Sequence, residues 1–242
     1  MTANDRNRYA FSYNSLDVRN KNFIFKNFNK SCSFKSNFSN STFKSTSFIG
    51  AKFKFCSLYN VNFEGCLIRG VLFKKCNLTN AKFINSIISA TIFDKNKLTG
   101  CQFINCKVIN TEKLRLLIPK NNFVNTDILE SYPDPQGFSD ELLKVVENLR
   151  SNKFIRKSTI LHRKKGQLDT VSISILVSQF GETFLVKSLP KIAQEIKNEF
   201  HTLSYIQSIL NNINNNGKLI SPPPVLPPMG FLKLTTKYLS TD

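Results

Sequence analysis

The sequence contains no Trp, only two His residues and no apolar run long enough to span a membrane. A transmembrane helix needs roughly 20 consecutive, predominantly apolar residues, so none is expected. The opening residues, MTANDRNRYAF, also lack the apolar stretch of a secretory signal. We therefore expect a cytoplasmic protein, or alternatively a bacterial effector exported through a signal of another kind.

Acidic residues are scarce. The chain has 16 Asp and Glu against 34 Lys and Arg, which gives a formal net charge of +18. The first 112 residues carry 17 basic and 5 acidic side chains, and so contribute +12 of that charge. A field of this sign attracts acidic partners, nucleic acid or anionic membrane surfaces. Alternatively, the lysines only keep the outside of a very apolar structure in solution.

The residue patterns of metal sites and catalytic sites are also missing. No Cys-x-x-Cys pair occurs among the six cysteines, and His162 and His201 are the only histidines. The sequence shows neither a nucleophile–His–acid set nor a Gly-rich phosphate loop. We expect no metal site, no catalytic residues and no cofactor.

What the sequence does contain is a five-residue repeat. Every fifth position from Phe38 to Val108 is large and apolar, and the position two residues before each of them is mostly small. A period of five fits neither an α-helix nor a β-strand, and it indicates a chain that turns a corner after each repeat. The pattern extends back to Tyr13 with one failure, Ser33, whose place we expect Phe34 to take through a local shift of one residue.

Four corners per turn predict a square coil of twenty residues, in which residues twenty apart stack and resemble one another. The sequence holds such columns: Phe43, Phe63, Phe83 and Phe103; Phe53, Phe73 and Phe93; Leu58, Leu78 and Leu98. Because Phe and Leu separate into different columns, the repeat predicts a stacked coil and not merely a periodic composition.

Segments such as AKFKF, VNFEG, CNLTN and AKFIN make the chain similar to the pentapeptide-repeat family. The resemblance implies a β-solenoid over residues 13–111, a right-handed quadrilateral β-helix of about four to five coils. The interior of such a helix is filled by its own side chains, which leaves no cleft for a substrate.

The cysteines fit this register. Five of the six occupy the small inward position, and Cys32 joins them if Phe34 points inward. A buried free cysteine behaves as a small apolar residue, so we expect a structural role and not zinc or redox chemistry.

Some relatives in this family mimic duplex nucleic acid and bind type II topoisomerases, which requires an acidic surface. The basic repeat region of this chain argues against that role. Direct binding of nucleic acid is compatible with the charge but is not expected, because the outward aromatic residues are scattered and form no stacking platform.

Large apolar residues also occur at outward positions in the later coils, where they predict an interface. Either the C-terminal half of the chain covers this candidate patch, or a second copy or a foreign protein does. Its members are Leu67, Leu72, Ile84, Ile87, Ile92, Ile104 and Ile109.

The five-residue rhythm stops after Val108, and we expect an exit, cap and linker over residues 112–138, including a short helical piece near 112–117. Residues 139–242 predict a smaller α+β region. Ser139 is a candidate cap for a helix that ends near Leu149, with Leu142, Val145, Val146 and Leu149 on one face. The expected elements after it are strands near 157–163, 170–178 and 183–189, a helix over 191–211 and a final strand, Phe231–Leu239.

That order of elements resembles the small lobe of protein-kinase-like folds. The resemblance implies that Lys187, in FLVK, grips a nucleotide phosphate and that Glu199, in KNEF, pairs with it. Under this alternative the ligand is ATP with magnesium. The match lacks a clear Gly-rich loop, and no large lobe follows to supply a catalytic aspartate. Such a kinase-like fragment would be an incomplete phosphotransferase, inactive alone.

Taken as a sequence, the chain therefore favours a non-enzymatic binding or scaffold protein that presents a β-helix surface to a protein partner. The alternatives are the kinase-like fragment and a secreted effector that carries a pentapeptide-repeat module.

Overall fold

The computed structural model describes residues 11–111 and 113–216. Short parallel strands form a β-solenoid of about five turns, and a helical region follows it. None of the helices within these residues combines the length and the apolar character needed to cross a membrane.

Each strand pairs in parallel with the strand twenty residues away, so one turn of the coil stacks directly on the next. Three faces of the coil are hydrogen-bonded sheets. The first face has the order β1-β3-β5-β8-β11-β13, the second β14-β12-β9-β6 and the third β10-β7-β4-β2. The strands are β1 (Asn22–Ile24), β2 (Cys32–Phe34), β3 (Thr42–Lys44), β4 (Lys52–Lys54), β5 (Asn62–Glu64), β6 (Leu67–Arg69), β7 (Leu72–Lys74), β8 (Lys82–Ile84), β9 (Ile87–Ser89), β10 (Ile92–Asp94), β11 (Gln102–Ile104), β12 (Lys107–Ile109), β13 (Phe123–Val124) and β14 (Asp127–Leu129).

The fourth face is held by single β-bridges that link residues 17, 37, 57, 77 and 97 in order. Because the chain visits the four faces in turn, the first face lies opposite the third and the second opposite the fourth. This four-sided coil confirms the β-helix predicted from the five-residue repeat.

The corners of the coil are left-handed residues. Every fifth residue from Ser15 to Asn110 has a positive φ, and none of these twenty positions is occupied by Val, Ile or Thr. Asn and Gly, which tolerate this conformation best, fill eleven of them. Because the chain turns a corner at every fifth residue, the inward and outward positions repeat with a period of five residues.

The interior is a stack of large side chains. Phe43, Phe63, Phe83 and Phe103 are fully buried, and their rings lie nearly parallel, with 4.7 Å between the centroids of Phe63 and Phe83 and of Phe83 and Phe103. This spacing equals the distance between hydrogen-bonded strands, so backbone pairing and ring stacking impose the same repeat.

Ser33 keeps the inward position, and the expected one-residue shift to Phe34 is wrong. Ser33 is fully buried and pairs with Phe53, whereas Phe34 and Cys32 point outward. A shift of one residue would move every side chain of the strand to the other side of the sheet and break the ladder. The five-residue repeat is therefore preserved, and a small polar residue occupies one core position that is large and apolar in the other repeats. The hydroxyl of Ser33 has no hydrogen-bond partner in the described part of the chain.

The other five cysteines are buried, unpaired thiols in the small inward columns. The Sγ atoms of Cys66, Cys76 and Cys106 donate to the carbonyl oxygens of residues 43, 53 and 83 in the preceding coil. Burial raises the pKa of Cys66 and of Cys101 to about 12 and that of Cys106 to about 11. Their thiols therefore stay protonated at neutral pH.

The coil continues past residue 111, where the sequence pattern fades. Helix α1 (Leu114–Leu117) follows instead of a further strand on the third face, and β13 and β14 then add strands to the first and second faces. Phe123 stacks on Phe103 with 5.2 Å between ring centroids. Leu114 and Ile118 are buried in the core and so cover the C-terminal end of the coil.

The helical region contains α2 (Asp140–Asn148), α3 (Lys153–Ser158), α4 (Thr170–Phe180), α5 (Glu182–Glu195) and α6 (Leu203–Asn216), with 3-10 turns at Lys120–Asn122, Pro135–Gly137 and Leu149–Ser151. Ser139 caps α2 by accepting a hydrogen bond from the amide of Leu142, as predicted. Leu142, Val146 and Leu149 are buried, which also confirms the predicted apolar face, with Val145 half-buried beside them.

The three strands expected after α2 are wrong. Residues 170–178 lie in α4 and residues 183–189 in α5, while 157–163 holds the end of α3 and a single bridge between His162 and Leu168. Thr, Val and Ile are abundant in these segments and suggested strands. Helix capping and burial overrode that propensity: the Asp169 side chain caps α4, and Val171, Ile173 and Leu176 are buried.

Gly181 connects α4 to α5 with φ of +76°. The helix predicted over 191–211 is instead two helices, because α5 ends at Glu195 and α6 begins at Leu203. Pro190 lies inside α5. The final predicted strand, Phe231–Leu239, lies outside the described residues.

The inward–outward pattern of the coil predicts a contrast between two phenylalanines. Phe63→Ala should lower the free energy of unfolding by about 3–5 kcal/mol, because it opens a cavity in the ring stack. Phe55→Ala should lower it by less than about 1 kcal/mol, since this side chain is 43% exposed. Chemical denaturation of both variants measures the difference, and equal losses would contradict the assigned register.

Candidate functional site

The helical region covers the second face of the coil. Leu67, Ile87 and Ile109, three members of the candidate apolar patch, are buried in a second core that they share with the helices. Ile49 and Leu129 extend this contact from coil to coil. The β-helix thus already uses one of its faces to bind a folded polypeptide, which is its own C-terminal region.

The other four members of the patch do not lie on this face. Ile84 and Ile104 are neighbours on the first face and are partly buried. Leu72 and Ile92 are neighbours on the third face, where Ile92 is 59% exposed. The seven residues therefore belong to three different surfaces.

An ion pair joins the two parts of the chain. Arg69 Nη2 on the second face donates to Oδ2 of Asp169 over 2.5 Å, and Arg69 Nη1 donates to the carbonyl oxygen of Thr159 over 3.1 Å. Asp169 is fully buried and also caps α4 by accepting from the amide of Ser172. Burial raises the pKa of the Asp169 carboxyl, and Arg69 opposes that rise. The pair is a structural link, in which the Asp169 carboxylate is fully buried and the Arg69 side chain is 19% exposed.

The residues suggested by the kinase-like resemblance do not form the implied pair. Lys187 lies inside α5 and not on a strand. Glu199 lies between α5 and α6, where its carboxylate pairs with Lys157. Helices occupy the segments that were expected to be strands, so the described structure contains no small kinase lobe. The resemblance to protein-kinase-like folds is therefore wrong for these residues.

The two histidines also lie in structural positions. His162 is buried, with Nε2 2.9 Å from the carbonyl oxygen of Val146. His201 is half-buried near Glu199 and Lys157. Burial lowers the pKa of both imidazoles. In residues 11–111 and 113–216, no group of three His, Cys, Asp or Glu side chains is placed to hold a metal ion.

Among the described residues the third face of the coil is exposed, and it carries six of the fifteen Lys and Arg side chains of residues 11–111. We define the lysine face as the outward residues of β2, β4, β7 and β10 together with the corner residue that follows each strand. Its charged members are Lys35, Lys52, Lys54, Lys74, Lys75, Lys95 and Asp94. These residues give it a net charge of +5.

The equivalent positions on the first and fourth faces carry much less charge. The first face has Lys44, Glu64 and Lys82 there, and the fourth has Asp17, Arg19 and Lys97. Each of these faces has a net charge of +1, and an ion pair neutralises two of its three charges. The lysines of the β-helix are therefore concentrated on one surface and not spread evenly around it.

Two exposed phenylalanines lie within the lysine face. The rings of Phe34 and Phe55 meet edge to face, with 5.5 Å between their centroids. Lys35 Nζ lies 5.4 Å from the Phe34 centroid, and Lys75 Nζ lies 5.3 Å from the Phe55 centroid. Aromatic rings beside cations supply contact area and charge together, a combination common at binding surfaces.

A groove lies at the α1 end of the lysine face. It has a volume of about 410 Å³. Its lining contains the large apolar residues Ile92, Phe93, Leu114 and Leu117, together with Ala90, Thr91, Asn110, Thr111 and Lys113. It forms because the chain turns into α1 and adds no further strand beyond β10 in the described residues. We call it the end groove.

A second groove, of about 540 Å³, runs between the corner of the first and second faces and helices α4 and α6. Its lining is mainly Ser, Asn and Gln. Its charged residues are paired, Lys44 with Glu64 and Lys107 with Asp127. Its charges are therefore neutralised within the protein, and Ile175 is the large apolar residue of its lining.

Eight copies of the pentapeptide-repeat family model match the chain, over residues 36–74, 56–94 and 76–111. The β-helix described above is therefore a pentapeptide-repeat β-helix. No curated protein matches the chain.

Several solved structures resemble this one. A pentapeptide repeat protein from Nostoc PCC 7120 is 16% identical over 42% of this chain and 84% of its own, with a TM-score of 0.36. One from the Arabidopsis thaliana thylakoid lumen is 25% identical over 37% of this chain and 69% of its own, with a TM-score of 0.20. QnrB1, a plasmid-mediated fluoroquinolone resistance protein, is 16% identical over 55% of this chain and 89% of its own, with a TM-score of 0.17. With such low TM-scores, no function is transferred from these proteins.

Reasoning from the sequence did not find the lysine face. The signal was present, because Lys54 and Lys74 are twenty residues apart, and so are Lys75 and Lys95. Sorting the charged residues by the same twenty-residue register as the apolar ones would have placed these lysines on one face. The end groove had no such signal, because it depends on where the chain leaves the coil.

The Arg69–Asp169 pair generates a prediction about pH. Arg69→Leu should lower the free energy of unfolding by about 3–5 kcal/mol near neutral pH, because it leaves a buried carboxylate unpaired. A folded-state pKa above the unfolded value stabilises the fold at low pH, and this contribution is lost as the pH rises through the folded pKa. The loss caused by Arg69→Leu should therefore be smaller near pH 4, the range in which a free Asp titrates.

Denaturation curves at both pH values measure this effect. The double variant Arg69→Leu with Asp169→Asn is the control, because Asn still caps α4 but cannot ionise. It should recover part of the stability near neutral pH. Equal losses for the single and double variants at both pH values would refute the account of a buried, paired carboxylate.

Proposed function

We propose that this protein is a non-enzymatic binding scaffold that presents the lysine face of its β-helix to a protein partner. The observation that carries the proposal is the concentration of lysines, together with two exposed phenylalanines, on one open face of a filled coil. No cofactor takes part in this proposal. We place the encounter in the cytoplasm, either of the cell that makes the protein or of a recipient cell if it is exported as an effector.

The solidity of the coil supports binding over catalysis. Its inward columns are packed with side chains, so the β-helix has no internal cavity that would surround a small substrate. The hydrogen bonds between coils hold the outward side chains at fixed spacings of about 4.8 Å along the axis. A surface that is already ordered loses little conformational entropy when a large partner binds.

The sign of the charge favours an acidic partner. Six lysines on one face attract an acidic surface during the encounter and disfavour a basic one. Phe34 and Phe55 then supply apolar contact once water is displaced. Nucleic acid is a weaker fit, because these two rings pack against each other and against lysines, and they do not stand apart as platforms for successive bases.

A matched pair of photo-crosslinking positions tests the proposal. The crosslinking residue p-benzoylphenylalanine is placed either at Phe34 on the lysine face or at Ile24 on the opposite first face, which are 37% and 42% exposed. In cells that produce the protein, we expect a discrete crosslinked protein from the Phe34 position and not from Ile24. Crosslinks from both positions, or only to nucleic acid, would contradict the proposal.

Charge reversal then tests whether the crosslinked protein binds where proposed. Lys52→Glu with Lys54→Glu should weaken binding of the purified partner on the order of tenfold, equivalent to about 1.4 kcal/mol. The control, Lys82→Glu with Lys97→Glu, changes the net charge equally but lies on the first and fourth faces. Binding measured by calorimetry should be nearly unchanged in the control. Equal weakening in both variants would show a general charge effect and refute the lysine face as the site.

A further inference from the structure

We propose that the lysine face recognises an acidic segment that carries one large apolar side chain, and that this side chain binds in the end groove. The inference rests on the proposed function, since it assigns the chemistry of the partner to the same surface. It is drawn from the position of the groove relative to the lysines.

The end groove is a recess lined on one side by large apolar residues and elsewhere by Thr91, Asn110, Thr111 and Lys113. Ile92 is 59% exposed and Leu117 47% exposed, while Leu114 forms a buried floor. Exposed apolar surface of this kind marks an interaction site when polar residues surround it. Its volume of about 410 Å³ admits one or two large side chains and is too small to enclose a folded element.

The lysines lie at a distance that an extended peptide can cover. Lys95 lies on the same coil as Ile92, Lys74 and Lys75 are one coil away, and Lys54 is two coils away. Two coils correspond to about 10 Å along the axis, which equals about three residues of extended chain. An apolar residue in the groove would therefore place acidic residues two to four positions away beside these lysines.

The shape of the site favours a peptide over a membrane surface. The groove at the β10 end of the face is concave and lies between β10 and α1, apart from the exposed rings of Phe34 and Phe55. A single side chain enters such a recess, whereas a flat anionic membrane would contact mainly its rim. Asp94, on the same face, forms an ion pair with Lys74.

Fluorescence anisotropy with the full chain tests this inference. The probes are labelled synthetic peptides of about ten residues, long enough to cross the face when extended. One contains Asp and Glu with a single Leu, the second replaces that Leu by Ser, and the third replaces the acids by Lys. We expect the peptide with Leu to bind about tenfold more tightly than the one with Ser, and the basic peptide not to bind.

Two variants localise the effect. Ile92→Thr should reduce the preference for Leu over Ser to about twofold or less, and Ile24→Thr, on the opposite face, should leave it intact. Both residues are exposed, so neither change should disturb the fold, and thermal denaturation checks this point.

The outcomes separate this inference from the function on which it rests. Equal binding of the Leu and Ser peptides, or a preference that survives Ile92→Thr, would overturn the end groove as an anchor site and leave the scaffold function intact. Binding to phosphatidylserine vesicles without binding to any acidic peptide would assign the face to lipid and overturn the inference. Failure of the scaffold function itself would show separately, as the absence of a protein crosslinked from Phe34.

Discussion

The left-handed corner at every fifth residue is the constraint on which the rest of the β-helix depends. Because the corners recur at a fixed interval, each face holds one large inward side chain, and four faces complete a turn of twenty residues. Backbone hydrogen bonds between turns then repeat at the same distance as the stacked rings of the core. Any residue that slipped by one position would violate both repeats, which explains why Ser33 stays inward although a phenylalanine follows it.

The same constraint determines where function can lie. Outward side chains twenty residues apart form straight columns, so a property that recurs at this interval becomes a continuous surface. On the second face the recurring property is apolar, and the helical region covers it. On the third face it is positive charge, and among residues 11–111 and 113–216 this face is exposed. The coil therefore separates a surface for its own C-terminal region from one for a partner.

The fold of the repeat half could be predicted from the sequence because its information is local and repeated. Each of many phenylalanines, leucines and cysteines reports the same register, and one exception such as Ser33 does not disturb it. The cap of α2 at Ser139 could also be predicted from the sequence, since a single side chain accepts a hydrogen bond from a free amide in the first turn of the helix.

The helical region was less predictable because its determinants are tertiary. The segment around Val171 and Ile173 has the composition of a strand, yet it is helical because Asp169 caps it and the side chains pack on the coil and on neighbouring helices. Asp169 is itself paired with Arg69, one hundred residues earlier, a relation that no local pattern reveals. The candidate site was missed in part for a similar reason, since the end groove exists only where strand and helix meet.

The twenty-residue turn also has a consequence for how such a protein can change in length over evolution. Duplication of one complete turn would lengthen every face by one row and leave each column on its own side. An insertion of only five residues would rotate all later repeats by a quarter turn, which would move the later lysines of the third face onto the fourth face and divide the lysine face in two. We therefore expect β-helices of this kind to differ in length by whole turns. Each duplication of a whole turn would leave the binding surface on the same side of the coil.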